Sequence, residues 1–104
     1  RQGGINLLLN REPDGHAAGF RSDHGPSASA MAFRVADGEA ALAHAEAQGA
    51  RPAEGTYGLP AIEGIGGALL YLVDDLSAGA LFDEQFEVLA DGPFTGAGLH
   101  TLDH

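Results

Sequence analysis

Residues 27–50, SASAMAFRVADGEAALAHAEAQGA, constrain the fold more than any other stretch of the chain. Residues 27–36 alternate loosely. Ala30, Ala32 and Arg34 fall on one face and Met31, Phe33 and Val35 on the other, as in a strand with one small-residue face. The chain then passes directly into an alanine-rich run. Asp37 is a good N-cap, Glu39 suits the positive start of a helix, and Gly49 suits the position just past its end. This spacing predicts a helix over about 38–48.

Other elements follow from turn chemistry and apolar runs. INLLLN at 5–10 reads as a buried strand, and REPDGH at 11–16 as a turn. HAAGFRSDHG has room for one or two helical turns, stopped by Gly25-Pro26 because proline cannot continue a helix. ARPAEG reads as a short edge strand, the one place in a sheet where Pro52 is tolerated. TYGLPAIEGIGG is a glycine-punctuated hairpin or loop, and ALLYLVDD at 68–75 is the clearest strand, ended by two acids. LSAGA turns. LFDEQFEVLA at 81–90 alternates Phe82, Glu84, Phe86 and Val88 and reads as another strand; LHTLDH reads as a last short one. The order predicts an α+β fold built on a βαβββ unit with one flanking strand on each side. Such a unit is a half-barrel with an open concave face that pairs with a second copy, and the 104 residues contain no second copy.

Length and charge narrow the function classes. A chain of 104 residues is one small domain. Its net charge is −10, it has no lysine, and Arg1, Arg11, Arg21, Arg34 and Arg51 are scattered, so it offers no basic patch to nucleic acid or to an anionic membrane surface. The absence of cysteine excludes disulfides and thiolate chemistry, and fits a reducing cytoplasm. No apolar run approaches the ~18 residues of a membrane span. The start, Arg1-Gln2-Gly3-Gly4, runs straight into a strand without Met, which leads us to expect a piece cut from a longer chain.

Chemistry-bearing motifs are few. GIGG at 64–67 is followed by a strand rather than by the helix a phosphate loop needs, so it reads as tight-turn glycine. No G-x-S-x-G elbow occurs, and Ser22, Ser27, Ser29 and Ser77 sit where serines hydrogen-bond locally. His100 and His104 are four apart. In a strand that spans roughly 13 Å, at ~3.3 Å per residue. Two ligands of one metal lie only ~3 Å apart, so these two cannot share an ion in an extended segment. His16 and His24 flank a weak helix and read as structural or solvated; His44 reads as exposed. Asp74-Asp75 reads as a solvated strand end, with cation binding as the alternative.

Taken together, RQGGINLLLN, HGPSASAMAFRV, LPAIEGIGGALLYLVD and GAGLHTLDH, in that order and spacing, resemble one stretch of the bacterial-type 4-hydroxyphenylpyruvate dioxygenases. That stretch ends the N-terminal domain and enters the catalytic domain. The resemblance covers nearly the whole chain. It implies the vicinal-oxygen-chelate fold, shared with glyoxalases and bleomycin-resistance proteins, in which βαβββ modules pair. Residues 1–12 would be the last strand of the preceding module, 13–97 a βαβββ module, and 98–104 the first strand of the catalytic domain.

The resemblance also implies a cytoplasmic non-haem Fe(II) oxidoreductase of tyrosine catabolism. It would convert the 2-oxo acid 4-hydroxyphenylpyruvate and O2 to homogentisate and CO2. In this family two histidines and one glutamate hold the iron, leaving open positions for 2-oxo acid and dioxygen. His104, in the aspartate-histidine pair, falls on the first ligand position; the other two lie downstream. One ligand of three does not hold the metal. The segment is therefore expected to be scaffold, inactive alone and prone to self-association, with no catalytic or cofactor-binding residue besides the metal ligand His104. Aligning SAMAFRV with a metal-bearing strand puts Ala30 at the ligand-histidine position and Glu87 near the ligand glutamate, where an ordinary outward-facing acid is the competing reading. Two rival readings stay open. One is the C-terminal domain of a fused 3-dehydroshikimate dehydratase, and the other a non-catalytic glyoxalase-like binding module acting as a dimer.

Overall fold

The computed structural model describes residues 4–87 and 96–102. It contains helix α1 (Gly15–His24), strand β1 (Ala30–Arg34), helix α2 (Gly38–Ala47), strands β2 (Pro52–Ala53), β3 (Ala61–Glu63) and β4 (Leu69–Val73), and helix α3 (Asp75–Gln85). The strands form one sheet in the order β1-β4-β3-β2. β1 runs parallel to β4, with Ala30 opposite Leu69 and Arg34 opposite Val73. β3 is antiparallel to β4, and β2 to β3. A βαβββ unit is present, complete between residues 30 and 73, but its third strand is β3, within the stretch read as a hairpin or loop, rather than the strand expected over 81–90. Pro52 lies on an edge strand, where its missing N–H costs no ladder bond.

α2 forms where its caps are. The Asp37 carboxylate accepts from the Ala40 N–H at 2.9 Å. At the other end Gly49, at φ +96°, takes the left-handed conformation that glycine adopts without a Cβ penalty. There Gly49 N–H bonds the Glu46 carbonyl and Ala50 N–H the Ala45 carbonyl, the pair of reversed bonds that closes a helix. α2 packs on β4 and β3. Its first residue, Gly38, is buried, and a Cβ there would lie 2.8 Å from the Leu72 carbonyl oxygen. The helix can start this close to the sheet only because residue 38 has no side chain. The core is small: among the described residues the buried apolar side chains are Ala61 and Leu69.

Three expected elements differ. The strand read over 81–90 is instead occupied, as far as Gln85, by α3. The Asp74 carboxylate accepts from the Ser77 N–H at 2.7 Å and starts the helix. The Phe82 and Phe86 rings then meet at 5.5 Å, the i, i+4 proximity that a helical turn gives and an extended segment of ~13 Å does not. Residues 88–90 lie outside the described part. The flanking strands expected at 5–10 and in the last segment are not formed among the described residues. Ile5 makes a single isolated bridge, and 6–12 and 96–102 are irregular. A strand needs a neighbouring edge to pair with, and the described chain packs little against this run: Leu7 is 76% exposed and Leu9 94%.

Candidate functional site

The sheet itself carries little chemistry. Along its four strands the ionisable side chains are Arg34, Glu63 and Tyr71. Each has a partner. Arg34 Nε meets Asp75 Oδ1 at 3.3 Å, Glu63 Oε2 meets Arg51 at 2.7 Å, and the Tyr71 hydroxyl accepts from the Thr56 N–H at 2.9 Å. Ala30, at the position where a ligand histidine would stand, opens β1 opposite Leu69, so two apolar residues face one another there. Glu87 does not take up a ligand-glutamate position. It lies exposed just past the end of α3, off the sheet, because the helix has replaced the strand that would have carried it. The strand beside β1 is β4, LLYLV, which has no acid.

Among the described residues no three His, Asp or Glu side chains gather as a metal site. His100 is exposed in the irregular segment 96–102. His104 and its neighbour Asp103, the expected ligand pair, lie outside the described residues. The residues on view therefore do not make up a ligand set for iron.

The polar centre of the module is Asp74. Besides accepting from the Ser77 N–H, its Oδ1 accepts from the Ser77 hydroxyl at 2.7 Å, and its Oδ2 accepts from the Gly38 N–H at 3.2 Å. One carboxylate thus caps α3 and also holds the start of α2. The Ser77 N–H does most to keep the Asp74 carboxyl below its ordinary pKa, followed by the Ser77 hydroxyl and the Gly38 N–H, against a smaller opposing effect of desolvation. A shallow cavity of about 250 Å³ lies beside it, lined by Val35, Ala36, Asp37, Asp74, Asp75 and Leu76. All three acids in its wall are already engaged: Asp37 and Asp74 as caps, Asp75 with Arg34. Asp74 is therefore a structural cap, whereas Asp75, its side chain 79% exposed beside Arg34, keeps the character of a solvated strand end. The three-residue spacing from Asp74 to Ser77 is the sequence feature that marks the cap, and it is the N-cap spacing already seen at Asp37 and Ala40.

His16 and His24 are structural as well. His16 Nε2 donates to the Gly67 carbonyl at 2.7 Å and His24 Nε2 to the Gly66 carbonyl at 3.1 Å. GIGG is thus a tight turn that presents carbonyls to α1, not a phosphate loop.

Comparison with known proteins sets this geometry in a family. A family model described as "Hydroxyphenylpyruvate dioxygenase, HPPD, N-terminal" matches residues 1–87. The chain is 46% identical over 112 residues to a 4-hydroxyphenylpyruvate dioxygenase of Pseudomonas sp. (strain P.J. 874), a match that takes in all of this chain and 31% of that protein. It is 43% identical over 110 residues to a 3-dehydroshikimate dehydratase of Pseudomonas aeruginosa, all of this chain against 17% of that one. Among solved structures, a xylose isomerase-like TIM barrel/4-hydroxyphenylpyruvate dioxygenase fusion protein superposes with a TM-score of 0.83 at 40% identity, over 96% of this chain and 16% of that one. The chain thus spans about a third of the length of the dioxygenase it matches and about a sixth of the other two.

Proposed function

Since the chain belongs to the family of hydroxyphenylpyruvate dioxygenase N-terminal regions, we propose that it is a scaffold module of a non-haem iron dioxygenase. In this reading the longer protein converts 4-hydroxyphenylpyruvate and O2 to homogentisate and CO2, a step of tyrosine catabolism in the cytoplasm. The observation that carries the scaffold role is the sheet: every ionisable side chain on its four strands is engaged by another group of the same module.

His104 is proposed as the first of the three iron ligands. When bound, the iron supplies the site for the 2-oxo acid and dioxygen. This segment contributes one imidazole to it and otherwise fixes where that imidazole stands. The proposed boundaries are 1–12 for the end of the preceding module, 13–97 for the βαβββ module and 98–104 for the start of the catalytic domain. Among the described residues β1 is an edge strand, and its half-exposed Met31 and Phe33 support pairing with another module, or with a second copy when the segment is alone.

A second reading is favoured by one observation. The dehydratase match and the barrel fusion both place a comparable segment inside a much longer chain. In that reading the module belongs to the C-terminal half of a fused dehydratase. Assaying the intact protein with both substrates separates the two. Homogentisate formation without 3-dehydroshikimate turnover supports the dioxygenase, and the converse supports the dehydratase.

A further inference from the structure

We propose that α1 is a strap that folds only when docked, held on the sheet module by two imidazole–carbonyl hydrogen bonds. A helix of ten residues does not hold itself in water. α1 is also poorly provisioned. It contains Gly19, its N-cap Asp14 makes no side-chain cap bond, its first turn has no acid, and none of its residues is buried. α2 and α3, of ten and eleven residues, each start on a capping aspartate carboxylate. The stability of α1 must therefore come from what it docks onto.

The docking is specific. His16, Phe20 and His24 recur at helical spacing and share one face. The Phe20 ring lies 5.9 Å from that of His16 and 4.3 Å from that of His24. The outer two reach the consecutive carbonyls of Gly67 and Gly66, bonds that span 51 and 42 residues of chain. Those carbonyls belong to a turn in which Gly66 and Gly67 have φ of +66° and +82°, a conformation that side chains rarely adopt. Because both acceptors are carbonyls, each imidazole must donate from Nε2. α1 follows residues 5–12, so the strap also sets where the exposed Leu7–Leu9 run is held relative to the sheet. Release of the two bonds frees α1 and that run together, while β1–β4 and α2 stay folded.

The test is residue-resolved amide exchange on the whole chain, with β1 and β4 amides as internal reference and far-UV circular dichroism alongside. The His16→Phe/His24→Phe double variant keeps two rings and removes both donors. Amides of 15–24 should exchange roughly ten- to thirtyfold faster, as one or two lost hydrogen bonds imply, with sheet amides unchanged. Up to about a third of the helical signal should go, since the three helices are of similar length. His16→Gln/His24→Gln, which can still donate, should exchange more slowly in α1 than the Phe variant. Unchanged protection of α1 in the Phe variant overturns the proposal, because something else then holds the helix. Loss of sheet protection in parallel with α1 overturns it too, because α1 is then an integral part of the fold and not a strap.

Discussion

Asp74 shows how much one side chain organises in a module this small. Its carboxylate joins the starts of two helices that leave the ends of adjacent parallel strands. A carboxyl whose pKa is lower folded than unfolded stabilises the fold above the unfolded value, here 3.8, and that contribution is lost as pH falls through the lower folded value. Asp74→Asn should therefore unfold at lower denaturant than the parent at neutral pH, with the gap closing once the pH is taken below 3.8. A gap independent of pH means the charge is not what matters. Asp37 caps α2 alone, and Asp37→Ala should cost about 1 kcal/mol in the same measurement. Glu87→Gln should leave stability, and iron content in the longer protein, unchanged, since Glu87 is exposed and off the sheet.

Elements were legible in the sequence where their determinants are local. α2 is bounded by its own cap and its own glycine, and β4 is an unbroken apolar run, so both stand close to where the residues placed them. α3 was misread because Phe82, Glu84 and Phe86 alternate at the period of a strand, while the stronger determinant, the Asp74 cap, lies about two helix turns before them. The docking of His16 and His24 could not be read at all, since their acceptors are distant backbone carbonyls that carry no residue identity. Packing also reverses what propensity dictates at one helical glycine. Gly38→Ala should destabilise by about 1–3 kcal/mol, although alanine is the better helix former, because its Cβ would meet the Leu72 carbonyl oxygen at 2.8 Å. Gly79, inside α3 with nothing within 4 Å of a would-be Cβ, should behave oppositely, with Gly79→Ala gaining about 0.5–1 kcal/mol. Equilibrium unfolding of the two variants side by side decides whether close approach or propensity rules each site.

At the scale of the molecule, the described residues bury two apolar side chains and leave β1 at an edge of the sheet, which supports the proposal that the module pairs with another. The isolated chain should sediment as a dimer or larger at micromolar concentration, and Phe33→Glu, on the free strand, should shift it toward monomer. A compact monomer in the parent would contradict the pairing role. β1, α2, β2 and β4 were legible from alternation, caps and apolar runs, and the family from four motifs in order, whereas β3 lay hidden in a stretch read as a hairpin or loop, and the proposed ligand His104 rests on the family resemblance because it lies outside the described residues. The central claim is that this segment is scaffold and lends the metal site a single imidazole. Iron per protein, measured on the longer protein and on this chain alone, tests it most directly. His104→Ala should abolish stoichiometric Fe(II) in the longer protein, His100→Ala should leave it intact, and the isolated chain should titrate with Fe(II) no more tightly than a lone surface histidine. Full iron retained in His104→Ala, or tight stoichiometric binding by the isolated chain, would contradict the account.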